Sequence, residues 1–146
     1  MKNIWILVAN SSFARMYEHL GPNKGIKLVK EMDHPESRFK NSELVTDRSG
    51  SMSAAYAGKG AKQPQTQPKT HQAKLFAQKL ARELYQGRTQ NAYNRAIVFA
   101  PPAFMGMLNA QMDQPTAELV TDRFEKDYTK AAEPQLCKRL ASCMLV

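Results

Sequence analysis

IWILVANSSFARMYEH, residues 4–19, contains two β-strand patterns of different kinds separated by a turn. Ile4 to Ala9 is an unbroken apolar run rich in β-formers, which suits a strand buried on both faces and not one that alternates between core and water. Asn10, Ser11 and Ser12 make a tight turn, and Phe13 to His19 continue as a second strand. After GPNKG at 21–25, the segment IKLVKEM at 26–32 gives a third strand with partial alternation, so the chain opens as an antiparallel meander.

Downstream the period changes. In 71–86, Ala73, Phe76, Ala77, Leu80 and Leu84 recur at helical spacing on one face, opposite Lys74, Gln78 and Arg82, as expected of a helix covering a sheet. RAIVFA at 95–100 is a second buried strand, ended by Pro101 and Pro102, and AFMGMLNAQM then turns into a helix. TAELVT at 116–121 suggests a last strand, and EPQLCKRLASCML a last helix with Pro134 in its first turn. The order β-β-β-α-β-α-β-α predicts a single α/β domain over 1–146 with a mixed sheet. Right-handed crossovers would set the later strands parallel to the first.

Between Asp33 and about Thr70 no helix or strand is expected. A connection this long is commonly functional or disordered. Its second half, including AGKGAKQPQTQPK at 57–69, has the composition of a mobile tract; HPESRFKNSELVTDRSGSM at 34–52 reads as more ordered.

With 21 Lys and Arg against 13 Asp and Glu, the 146 residues carry a net charge of +8, a field that favours nucleic acid, anionic membranes or acidic proteins. The run from Ile4 to Ala9 is too short for a secretory core or a membrane span, so a cytoplasmic protein without membrane insertion is expected. Cys137 and Cys143 fit neither a zinc pair nor a C-x-x-C motif and read as reduced structural thiols.

Common catalytic signatures are absent: there is no Walker loop, dinucleotide fingerprint, nucleophile elbow or H-E-x-x-H. GKGAK at 58–62 follows no strand and opens no helix, which makes it a flexible basic tract before a phosphate cradle. His19, His34 and His71 lie far apart, so no metal site and no cofactor are implied. Two-metal nuclease chemistry needs converging carboxylates, but the first strand ends in Asn10 and AIVFA carries no acid. Asp33, Glu36, Glu43 and Asp47 read as surface ions or turn formers, and no catalytic residue is assigned. If the first strand and AIVFA are parallel neighbours, their carboxyl ends form a switch point where Asn10, Ser11 and Ser12 face the PPAFMGML helix. This is a candidate anion site, weakened because Pro101 and Pro102 remove two amide donors from that helix end.

Five blocks in order, WILVANSSFARMYE, HPESRFKNSELVTDRSG, LFAQKLARELYQG, IVFAPPAFMGMLNAQM and LVTDRFEKDYTK, resemble the bacterial host attachment family, described as proteins required for attachment to host cells. That family is similar to the middle domain of archaeo-eukaryotic peptide-chain release factors. The resemblance implies a ribonuclease H-like five-stranded sheet of order 3-2-1-4-5 with the second strand antiparallel, and a long basic loop after the third. The release factors' Gly-Gly-Gln is missing here, so termination catalysis is not implied. The family string S-D-[RK]-P-G-R appears as TDRSGS, keeping Asp47, Arg48 and Gly50 but with Ser49 and Ser51, and Asn10 stands where the family often has Asp.

His34, Pro35, Arg38, Ser42, Asp47, Arg48 and Gly50 thus form a signature loop. Asp47 suits an Asx-turn, Gly50 a positive φ, and Phe39 and Leu44 could pin the loop to the sheet. Facing outward, Arg38, Lys40, Arg48, Lys59, Lys62 and Lys69 would form a basic surface extended by Lys74 and Arg82 on the helix. From 34 to 74 there are seven Lys and Arg against three acids, half of the chain's excess charge. Three functions follow: a non-catalytic RNA- or ribosome-associated module; an attachment factor acting through protein partners; or a hydrolase of RNA or peptidyl-tRNA.

Overall fold

The computed structural model describes residues 3–39 and 68–146. Five strands, β1 (Ile4–Ala9), β2 (Phe13–His19), β3 (Ile26–Asp33), β4 (Arg95–Phe99) and β5 (Val120–Phe124), form one mixed sheet of order β3-β2-β1-β4-β5. β1 lies at its centre, antiparallel to β2 with Ile6 opposite Tyr17 and parallel to β4 with Ile6 opposite Ile97. The expected sheet order and the antiparallel β2 are both present.

Among the described residues four α-helices flank the sheet: α1 (Pro68–Thr89), α2 (Pro102–Gln111), α3 (Gln114–Leu119) and α4 (Glu133–Leu140). Alternate residues of the central strands enter two separate cores. Leu7, Ala9 and Val98 pack with Phe76, Leu80 and Leu84 of α1 and with Phe104, Met105 and Leu108 of α2. Ile4, Ile6, Val8, Ile97 and Phe99 pack on the other face with Leu136 and Leu140 of α4. Covered on both sides, β1 and β4 from Ala96 onward need apolar residues at each position, which accounts for their unbroken runs. The edge strand β3 is different: Lys27 to Glu31 are all exposed, and only Ile26 and Met32 are buried.

Three expectations are corrected. The segment 116–121 is not a strand: residues up to Leu119 are helical in α3, and β5 begins at Val120. Thr116, a β-former on paper, is fully buried on α3, where its Oγ1 accepts a hydrogen bond from Arg88 Nε at 3.0 Å. The stretch after Asp33 is not wholly irregular, since Pro35–Arg38 forms a 3-10 turn against α1. α1 itself runs beyond 71–86 at both ends. It ends at Thr89; just beyond, Asn91 adopts φ 57°, and Ala92 N donates back to Gly87 O at 2.8 Å.

Near that end, Gly87 is buried against the indole of Trp5, which stacks on Tyr93 with centroids 4.6 Å apart. The Tyr93 hydroxyl donates to Leu84 O at 2.5 Å, and burial pushes its pKa up to about 12.

Candidate functional site

The carboxyl ends of the parallel strands β1 and β4 meet as the switch point requires, and Asn10 leaves β1 there. Asn10 Oδ1 accepts from the backbone N–H groups of Ser12 and Phe13, both at 2.9 Å, and from Ser12 Oγ at 3.3 Å. Asn10 Nδ2 donates to Asp127 Oδ2 at 3.0 Å and to Thr129 Oγ1 at 3.1 Å. Only this orientation of the amide satisfies both sets of partners, and it uses both N–H groups and the oxygen. Asn10 is therefore a staple between the β1–β2 turn and the loop after β5, with no donor left for a ligand. Asp127 Oδ1 accepts from Thr129 N at 2.8 Å and Thr129 Oγ1 at 2.6 Å. Burial alone would raise the Asp127 pKa, but the Thr129 and Asn10 hydrogen bonds and the charge of Lys130 outweigh it and hold the carboxyl below its ordinary value.

Ser11 and Ser12 line a cleft of about 450 Å³ with Ser37, Lys69, Thr70, Pro101, Phe104, Met107 and Asp127 among its walls. The 3-10 turn reaches this cleft through Ser37 and is tied down by the residue before it, His34. Its backbone N–H donates to Ser12 O at 2.8 Å, and its ring stacks on Phe76 with centroids 5.5 Å apart. His34 Nε2 lies 2.8 Å from Gln72 Oε1 and must be the donor, because an amide oxygen only accepts. Pro35 opens the turn and Ser37 is buried within it. Phe39 does not pin the segment as expected: it is 38% exposed, and the anchoring falls to His34 and Ser37. Arg38 is exposed but not free, because it pairs with Asp33 at 3.1 Å. The remaining loop candidates, Lys40, Ser42, Asp47, Arg48, Gly50, Lys59 and Lys62, lie outside the described residues, as does the expected contrast between an ordered first half and a mobile second half.

Lys74 and Arg82 are exposed on α1 together with Gln78. A denser basic site lies elsewhere. Lys126, Lys130, Lys138 and Arg139 line an open cleft of about 800 Å³ with Asp127, Tyr128 and Gln135. An aromatic group supports it: Arg139 sits over the Phe124 ring at 5.2 Å, Phe124 stacks on Phe99, and Tyr128 meets Phe99 edge-on. Arg15, Arg38, Arg88 and Arg95 each pair with a carboxylate, whereas none of the four cations of the cleft has an ion pair among the described residues. Unpaired cations around a concave surface add their fields, with Asp127 the one opposing charge in the lining. Sequence reasoning missed this site because its charges come from the loop after β5 and from α4, which only the fold brings together. The four-residue spacing of Lys126 and Lys130 and the adjacent Lys138 and Arg139 were the available signal.

Cys137 and Cys143 are free thiols, both raised above their ordinary pKa by burial first and by Glu133 and Asp122 respectively. No helix among the described residues is long and apolar enough to cross a membrane. No curated protein matches the chain. The family model described as "Protein required for attachment to host cells" matches residues 5–140, from β1 to the end of α4, and the chain belongs to that family.

Proposed function

We propose that this member of the attachment family is a non-catalytic binding module for RNA, free or in the ribosome, held electrostatically in the cleft of Lys126, Lys130, Lys138 and Arg139. The observation that carries the reading is the convergence of four cations, none ion-paired among the described residues, on one open concave surface. The net charge of +8 and the sequence resemblance to the release-factor middle domain support it. A cytoplasmic location goes with this reading. The family description favours a second reading, a role in attachment through a protein partner. A hydrolase would depend on Asp47, outside the described residues.

Changing Lys126, Lys130, Lys138 and Arg139 together to Gln is expected to weaken RNA binding roughly tenfold or more near 0.1 M salt. It should also flatten the dependence of log K on log salt by up to about 0.9 for each duplex phosphate that is no longer neutralised. Lys74→Gln with Arg82→Gln, on the layer across the sheet, should cost less per charge. Filter binding of a structured RNA over a salt series measures both. Unchanged affinity and slope in the cleft variant would transfer the function to the protein-partner reading.

A further inference from the structure

Ser37 is 5% exposed, and its hydroxyl is buried without a hydrogen-bond partner among the described residues. A buried donor left unmade costs enough that folded proteins seldom keep one without a purpose. Ser37 lines the cleft at the switch point, as do Lys69 and Thr70 from the first turn of the 22-residue α1. The first turn of a helix leaves backbone N–H groups without intrahelical acceptors and carries the positive end of the helix dipole. Ser11 and Thr70 line the cleft together with Ser37. The expected anion site was directed at α2, where Pro101 and Pro102 remove two amide donors; α1 opens on Pro68, which has no N–H either, but brings the Thr70 side chain to the same cleft.

The rest of the lining limits what the ligand can be. Asp127 also lines the cleft, and its carboxylate suits a ligand hydroxyl and not an anionic group. Asp127 Oδ2 accepts only from Asn10 among the described residues, so it can take another donor. Ala73, Pro101, Phe104 and Met107 make the remaining surface apolar. A volume of about 450 Å³ falls within the range of small-molecule sites. We propose that this cleft binds a small phosphate monoester bearing hydroxyl groups, of nucleoside monophosphate size. Its phosphoryl oxygens accept from Ser37 Oγ, from the Ser11 and Thr70 hydroxyls and from the Thr70 amide in the first turn of α1. A ligand hydroxyl donates to Asp127, and the ligand body rests on Phe104 and Met107. The proposal does not rest on the RNA reading, with which it shares only Asp127 in the lining.

Titration calorimetry and amide NMR shifts of the full chain with adenosine 5′-monophosphate, inorganic phosphate and adenosine test this assignment. The monophosphate should bind more tightly than phosphate, and adenosine should bind weakest. The shifts should centre on Ser11, Ser37 and Thr70. Ser37→Ala should weaken monophosphate binding roughly tenfold, as expected for one hydrogen bond to a charged acceptor. It should leave thermal stability in ligand-free buffer equal to or above that of the parent, since it removes an unpartnered buried hydroxyl. Several results would overturn the site: no binding to the parent, equal affinity for phosphate and monophosphate, shifts confined to 126–139, or unchanged affinity in a folded Ser37→Ala protein. Failure of RNA binding in the basic-cleft variant leaves these measurements unaffected, so the two proposals fail separately.

Discussion

Asn10→Asp should destabilise the protein by about 2 kcal/mol at pH 7 and reverse the sign of its acid response. In the parent, Asn10 Nδ2 donates to Asp127 Oδ2 at 3.0 Å. The substitution replaces that N–H with a second carboxylate oxygen. Two charges at about 3 Å repel by roughly 5 kcal/mol at an effective dielectric of 20; solvent around the exposed Asp127 lowers this to the smaller figure. The acceptor side of the staple survives, because a carboxylate still receives the Ser12 and Phe13 amides. The pH response follows from linkage. Asp127 now has a depressed pKa, so its contribution is present above the unfolded value of about 3.9 and lost as pH falls through the lower folded value. In the variant the two carboxyls titrate as a pair whose upper pKa is raised above the unfolded value. Stability should therefore rise as pH falls from 7 towards about 4, where the parent stays level. Urea unfolding across that range decides the matter; parallel curves for the two proteins would refute the staple. Asn10→Ala, which leaves the two turn amides without their acceptor, should cost a similar amount with little pH dependence.

Gly87→Leu should cost about 3 kcal/mol, and Gly87→Ala about 1–2, although both exchange a poor helix former for a good one. A Cβ on Gly87 would overlap the six-membered ring of Trp5 and come within 2.9 Å of Tyr93 Cε1. The indole is held between the helix backbone and the Tyr93 ring, so relief requires breaking that stack. Gly106 on α2 is the control: a Cβ there meets nothing within 4 Å, and Gly106→Ala should gain up to about 1 kcal/mol. Trp5 is the sole tryptophan, so its fluorescence reports both the unfolding midpoint and the disturbed stack. Equal gains from alanine at 87 and 106 would show that Trp5 yields freely.

Much of the sheet could be read from the chain because the information is local. β1 and β4 announce their double burial by having no polar residue in IWILVA or AIVF, and the tight NSS turn forces β2 to return antiparallel. The resemblance to the attachment family supplied the strand order. Where the reading failed, the missing information was tertiary. Thr116 and Thr121 looked like parts of one strand, but the Thr116 hydroxyl is taken up by Arg88 from α1, 28 residues away. Ser11 and Ser12 were placed at the correct end of the sheet. That Asn10 is saturated could not be seen, because Asp127 and Thr129 carry no sign in sequence of facing it. Arg38 was read as part of an outward-facing basic surface, and its pairing with Asp33, five residues before it, was not foreseen. The basic cleft was illegible for the same reason as the staple, since its cations lie on separate elements.

The Asn10 staple also bears on the order in which the molecule assembles. Its two long bonds join residues 117 and 119 positions apart, among the widest separations in the chain. Closing so long a loop costs chain entropy that only a preformed sheet can offset, so the joint is expected to form after β1, β2 and β4 have paired. The loop carrying Lys126 and Lys130 acquires its position against α4 at that step. A partly folded chain therefore carries the same charges without the cleft, and the polyanion affinity proposed for that cleft would be a property of the last stage of folding.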